Sequence, residues 1–310
     1  MSATPRSRTR ALLLGAAAAV VVAVVVALIT YLPGRDERTP TDGASQTAPA
    51  TPEPTPPSPS TAGPAPSAGF PDATTTGVPD GTNLVQSDKL TIDEDGTVID
   101  GLEIHGNVVV EADDVVIRNS RIVMTSGKIA IRVKGDNFVM EDSEIDGQGR
   151  ANPAIAYNGY TLRRVDIYNV AEGPRIAGGD VTIEDSYIHD LVQRGDNHTD
   201  VIQVMSGENI VVRGNNLQAY NPETGIYGNA AFMFGEDSGP VSSCTVEGNL
   251  MNGGNYTVNG GGSGTEGAAC DFRNNTVQGD FRYGAKAHIG PNATWDDSNI
   301  VLGAEKPDDD

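Results

Sequence analysis

The stretch GDNHTDVIQV, residues 195–204, sets Asp196, His198, Asp200 and Gln203 within eight positions. The chain has four histidines, His105, His189, His198 and His288, and two of them lie within ten residues of each other here. An imidazole with an ordinary pKa near 6.5 can take a proton at neutral pH. A polysaccharide lyase needs such a base to remove the proton next to a uronate carboxylate, and a cation to neutralise that carboxylate. His198 is the candidate base. Arg175, or a calcium-like divalent ion held by Asp200 and a neighbour, is the candidate cation. A glycoside hydrolase instead needs two carboxyl groups roughly 5–9.5 Å apart. Asp190, Asp196, Asp200 and Glu172 are the carboxylates available for that chemistry. His198 and Asp200 are therefore the candidate catalytic pair, with Glu172, Arg175, Asp196 and Gln203 binding substrate. Carboxylates and amides suit sugar hydroxyls, and an arginine pairs a uronate carboxylate with two parallel hydrogen bonds.

These residues need a scaffold, and the chain supplies one as a repeat. An eight-residue unit recurs as TVIDGLEI (97–104), VVIRNSRI (115–122), FVMEDSEI (138–145), YTLRRVDI (160–167), VTIEDSYI (181–188), IVVRGNNL (210–217), CTVEGNLM (244–251) and CDFRNNTV (270–277). Positions one and three are mostly apolar, position eight always is, and positions four to six are mostly charged, Asn, Gly or Ser. The units start 18, 23, 22, 21, 29, 34 and 26 residues apart. A weaker strand precedes many units: AIRV (130–133), AIAY (154–157), VIQV (201–204), AFMF (231–234) and YTVN (256–259). No coil of this size can bury its apolar side chains alone, so stacked coils must share one core. The pattern predicts an all-β fold, a single-stranded parallel solenoid of about eight coils. In its register Ile202 and Val204 face inward and Val201 and Gln203 outward. Asp200 then stands beside Gln203 and His198 on the outer surface, with Glu172 and Arg175 one coil before. Residues 189–200 form a lengthened turn, the place where solenoids build binding walls. His189 and Asp190 follow a unit end directly, where a structural role is expected.

Cys244 and Cys270 both fall on position one of successive units. In register they stand one strand spacing apart, about 4.8 Å, which a disulfide accepts. The alternative is a pair of buried thiols.

This repeat resembles the right-handed parallel β-helix of pectate lyases and polygalacturonases, over about residues 95–280. The resemblance implies the fold. NHTD is similar to the Asn-Thr-Asp segment of polygalacturonases, whose Asp is catalytic, but His198 interrupts it. The next coil has Ala230 and Ala231 where that family carries an Asp pair, and its other motifs are missing. The calcium ligands and basic catalytic residue of pectate lyases have no convincing counterpart. A nearer resemblance is to bacterial secreted β-helix repeat proteins, through Ile188–Asp190, Gly195, His198, Asp200 and Gln203, then Gly253–Thr257 and Arg282–Gly284. It brings no established activity.

The ends place the domain. Residues 1–10, with Arg6, Arg8 and Arg10, precede an uncharged apolar run from Ala11 to Pro33. That run is long enough to cross a ~30 Å hydrocarbon core. Its flanking arginines predict a transmembrane signal anchor (11–33) with a cytoplasmic tail (1–10); a cleaved signal peptide is the alternative. Residues 34–69 are Pro, Thr, Ser and Ala-rich, a composition that stays disordered and extended. The β-helix domain is then 70–303, followed by an acidic tail, 304–310. Either leader reading puts the domain outside the cytoplasm. The net charge of −21 argues against nucleic acid as a partner. It also means that an acidic polysaccharide would need a local cationic patch or a divalent cation. The expected partners are a polysaccharide and, through the leader, a membrane, with the domain a monomer. A non-catalytic wall-binding or adhesion module fits the same anchor and spacer.

Overall fold

The computed structural model describes residues 69–195, 197–261 and 267–303. The expected cytoplasmic tail, transmembrane anchor, linker (apart from Gly69) and acidic tail lie outside the described residues, as does Asp196. Among the described residues there is no α-helix, and no helix is long and apolar enough to cross a membrane.

The repeat becomes three faces of a nearly closed, solenoid-like stack. The first four positions of each unit form the first face, nine parallel strands from Val98–Asp100 to Thr294–Trp295. The second face follows it, and the third carries the weaker strands, including Ile131–Val133, Ile155–Tyr157, Arg175–Ala177, Asp200–Ser206, Ala230–Phe234, Tyr256–Asn259 and Gly284–Ala287. The second and third faces join into one seventeen-stranded sheet. The only antiparallel pairing among the described strands is Tyr220–Asn221 with Ile226–Tyr227. The expected register holds through every unit: Phe138 pairs Tyr160, Tyr160 pairs Val181, Val181 pairs Ile210, Ile210 pairs Cys244, and Cys244 pairs Cys270. Cys244 and Cys270 form a disulfide with their Cα atoms 4.4 Å apart.

Each unit position has a physical reason. Position eight is fully buried in all eight units, from Ile104 to Val277. Position five turns the chain from the first face to the second with positive φ. Gly101, Asn119, Asp142, Arg164, Asp185, Gly214, Gly248 and Asn274 occupy it, with φ between 48° and 73°. Most side chains pay sterically for that conformation, so Gly, Asn and Asp dominate there. Position four alternates in charge along the stack: Asp100, Arg118, Glu141, Arg163, Glu184, Arg213, Glu247, Arg273. The buried Glu184 sits between Arg163 at 2.6 Å and Arg213 at 2.5 Å. Burial disfavours its charge, yet the two guanidiniums outweigh burial and lower its pKa. A strand shifted by one coil would oppose like charges, so the ladder helps to fix the order of the stack.

The structure adds a ninth coil that the eight-residue template does not reveal. Phe272 pairs Trp295 and Val277 pairs Val301. The second of these intervals is one residue longer than the first, which breaks the spacing. Trp295 is thus a rung of the first face, packed near Phe272 with ring centroids 5.7 Å apart.

His189 is held at both ring nitrogens. Its Nδ1 is 2.7 Å from Asp190 and its Nε2 2.9 Å from Asp166. Its ring stacks on Tyr187, with centroids 3.9 Å apart. Burial opposes a charge here, but hydrogen bonds donated to both carboxylates raise the imidazole to about 9. A His whose folded pKa is raised gives stability that is complete below its unfolded value, near 6.5, and lost as pH climbs through the folded value. Thermal stability is therefore expected to fall between about pH 6.5 and 9. A His189→Gln variant is expected to be less stable at pH 6 and to lose that slope. Melting curves across this range check both; an unchanged slope would sink the assignment.

Candidate functional site: a cationic cleft at the edge of the third face

The turns that lead into the third-face strands stack as a row. Main-chain bonds run from Ala130 N to Pro153 O (3.3 Å), Ala154 N to Glu172 O (2.9 Å), Gly173 N to Asp200 O (3.0 Å) and Asn229 N to Thr199 O (2.7 Å). Successive turns are therefore held about one strand spacing apart, and residues far apart in sequence come to share one wall.

A cleft of about 530 Å³ opens on this row, bordered by Lys128, Arg150, Asn152, Arg175, Arg194 and Asn197. Four cations from four consecutive coils converge on it, three from turns and Arg175 from the start of a strand, in a chain whose net charge is −21. Arg175 is the anchored one. Its Nε donates to Glu172 at 2.7 Å and to Gln203 at 3.0 Å, and its Nη2 donates to Glu172 and, at 3.2 Å, to Asn152. Burial raises the Glu172 carboxyl, against the hydrogen bond and charge of Arg175. Lys128, Arg150 and Arg194 are exposed and form no ion pair among the described residues. A second hollow of about 350 Å³ lies across Arg175, bordered by Tyr157, Asn158, Met205 and Ser238.

The sequence-predicted residues divide around this cleft. Arg175, Glu172 and Gln203 come together as expected, and Arg175 pairs Gln203 across the sheet. His198 is exposed on the lengthened turn. That turn is braced by Gln193, whose amide donates to the carbonyls of Gly195 (3.1 Å) and Asn197 (2.6 Å) and accepts from Thr199 (3.0 Å). Asp200 departs from expectation: it is 1% exposed, not on the outer surface. Val201, expected to point out, is fully buried as well. Neighbouring side chains on a strand point to opposite sides. Burial of both means that the strand's first residues are enclosed from both sides. One Asp200 oxygen accepts from Asn229 at 2.9 Å, and the other has no hydrogen-bond partner among the described residues. Burial pushes the carboxyl up to about 7; the bond from Asn229 opposes this and the charge of Glu172 adds to it. Among the described residues no group of three or more His, Cys, Asp or Glu side chains could hold a metal ion, so the calcium reading finds no ligand set there.

Lys128, Arg150, Asn152 and Arg194 escape a reading centred on GDNHTDVIQV. Their signal is positional: SGK, QGR and VQR each put a basic residue in the turn before a third-face strand.

The chain matches no family model, no curated protein and no solved structure.

Proposed function

We propose that this domain is a right-handed parallel β-helix of the pectate-lyase-like class, tethered outside the cytoplasm, that binds an acidic polysaccharide. The convergence of Lys128, Arg150, Arg175 and Arg194 on one cleft carries this reading. Four cations gathered on an acidic chain create a local field opposite to the chain's own, the arrangement that concentrates anions. Arg175 is already compensated by Glu172, so it shapes the cleft, while the three cations without an ion pair among the described residues are available to meet carboxylates. Asn152, Asn197 and Gln203 suit hydroxyls.

Binding is the main activity in this reading, because Asp200 is too enclosed to touch a bound polymer. A lyase step would rest on His198, exposed on the turn whose Asn197 borders the cleft. His198 would take the proton next to the uronate carboxylate. The electron pair would form a carbon–carbon double bond, the glycosidic bond would break, and the leaving oxygen would take a proton from water. The full chain is expected to bind at least one of polygalacturonate, alginate and hyaluronan in calorimetry, with an affinity that falls as salt rises. Loss of binding to all three at low salt would overturn the reading. New ultraviolet absorbance from an unsaturated product, lost in His198→Ala, would convert the binder into a lyase.

A further inference from the structure

The row of turns that forms the cationic cleft continues past it. Asn255 N donates to Asn229 O at 2.8 Å, and Tyr283 N donates to Asn255 O at 2.9 Å. The edge that carries Arg175 thus runs unbroken to a second cluster. From the strand of Arg175 to that of Tyr256 is three strand spacings, about 14 Å.

This cluster is aromatic. Tyr220 and Tyr227 have ring centroids 4.8 Å apart, held by the short antiparallel pair. The Arg282 guanidinium lies 5.2 Å from the Tyr227 ring centre and 6.0 Å from that of Tyr283. Tyr256 packs on Tyr283 with centroids 5.6 Å apart. None of these tyrosines is in the core, and Tyr283 is 47% exposed. No hydroxyl of the four is hydrogen-bonded to another described residue, and Arg282 forms no ion pair among them.

Aromatic rings left half-exposed keep an apolar face in water, at a cost that a ligand can relieve. A pyranose ring offers a complementary surface: axial C–H groups on one face, hydroxyls around the rim. A uronate adds a carboxylate, which Arg282 can pair. The rings are also pre-positioned by Arg282 through cation–π contact, so little ordering is needed on binding.

We propose that Tyr227, Tyr256, Arg282 and Tyr283 form a second sugar subsite on the same edge, stacking pyranose rings of the acidic polymer held in the cationic cleft. This rests on the acidic-polysaccharide reading. It makes the polymer lie along the solenoid axis and makes affinity depend on chain length. The test uses the full chain with two-sugar and eight-sugar fragments of polygalacturonate, alginate and hyaluronan. Wild type is expected to hold an eight-sugar fragment at least about tenfold more tightly than the two-sugar one. The Tyr227→Ala, Tyr283→Ala double variant is expected to lose that gain while its two-sugar affinity stays unchanged. Tyr283→Phe, which keeps the ring, is expected to retain it. Unchanged circular dichroism and melting separate lost stacking from lost folding. If wild type binds a fragment and the double variant keeps the length gain, the second subsite is overturned and the cleft stands. If wild type binds none of the fragments, both are overturned.

Discussion

An Arg150→Glu, Arg194→Glu double variant is expected to bind acidic polysaccharide at least about a hundredfold more weakly than wild type and to melt at the same temperature. Each arginine is exposed and forms no ion pair among the described residues, so the fold loses no partner with it. Surface changes of that kind usually shift stability by about 0.5 kcal/mol or less. A hydrogen bond to a charged group contributes about 1.5–3 kcal/mol. Losing two such contacts, and adding two repulsive carboxylates in their place, accounts for about a hundredfold or more. Arg175 would be the wrong residue to reverse. Its guanidinium is tied to a buried Glu172, and removing one member of a buried pair leaves the other uncompensated, at about 3–5 kcal/mol. An Arg175 variant would report on folding as much as on binding. Titration of polygalacturonate, alginate and hyaluronan at two salt concentrations reads the double variant. Wild-type affinity is expected to fall steeply with salt and the variant's residual binding to fall little. A double variant that binds all three as wild type does would show that the cleft is not where the anion sits.

The solenoid was legible in the chain because its constraints are local. Position eight must be apolar and position five must accept positive φ, and both requirements show as residue types at fixed spacing. Register follows from them, which is why two cysteines 26 residues apart could be placed opposite each other. The site was legible only in part, because its constraints are not local. Alternation along VIQV says which side of the strand a residue takes; it says nothing about what covers that side. Asp200 and Val201 therefore read as surface and are buried. Lys128, Arg150 and Arg194 sit in turns of unequal length, and how far each turn reaches over its neighbour is set by backbone paths that spacing does not encode. The alternating charges at position four were visible as a polar position, but their signs mean something only once the strands are stacked in order.

The polar residues at position six carry the largest structural prediction. Three of the first five units hold serine there, Ser120, Ser143 and Ser186, while Leu102 and Val165 occupy it in the other two. Ser143 Oγ accepts from Ser120 N at 3.0 Å and donates to Glu141 O at 2.7 Å. In the later units asparagine takes over and reaches further, forming a buried column of Asn215, Asn249 and Asn275 that ends on Asn299. Asn249 is fully buried. Its oxygen accepts from the Asn215 backbone (2.9 Å) and side chain (3.0 Å), and its nitrogen donates to Val212 O (2.9 Å) and Asn275 (3.0 Å). Asn249→Ala removes all four bonds without letting water in. Each donor or acceptor left unpaired in the interior costs about 1–3 kcal/mol, so a total loss of about 3–5 kcal/mol is expected. For a domain of this size that lowers the melting temperature by about 6–20 °C. Asn249→Ser is expected to recover part of the loss, since serine at this position supplies the acceptor for the backbone N–H of the coil before. It cannot span to Val212 O, so it should fall between alanine and wild type. A melting temperature within about 2 °C of wild type for Asn249→Ala would mean that the column is not a source of stability. The effect should also be uneven along the chain. The column binds the coils of Asn215 to those of Asn275 and Asn299, which also carry Tyr220, Tyr256 and Tyr283. Hydrogen exchange in Asn249→Ala is therefore expected to rise first in these later coils. The cationic cleft, whose coils carry Ser120, Ser143, Val165 and Ser186 at this position, should keep its protection longer.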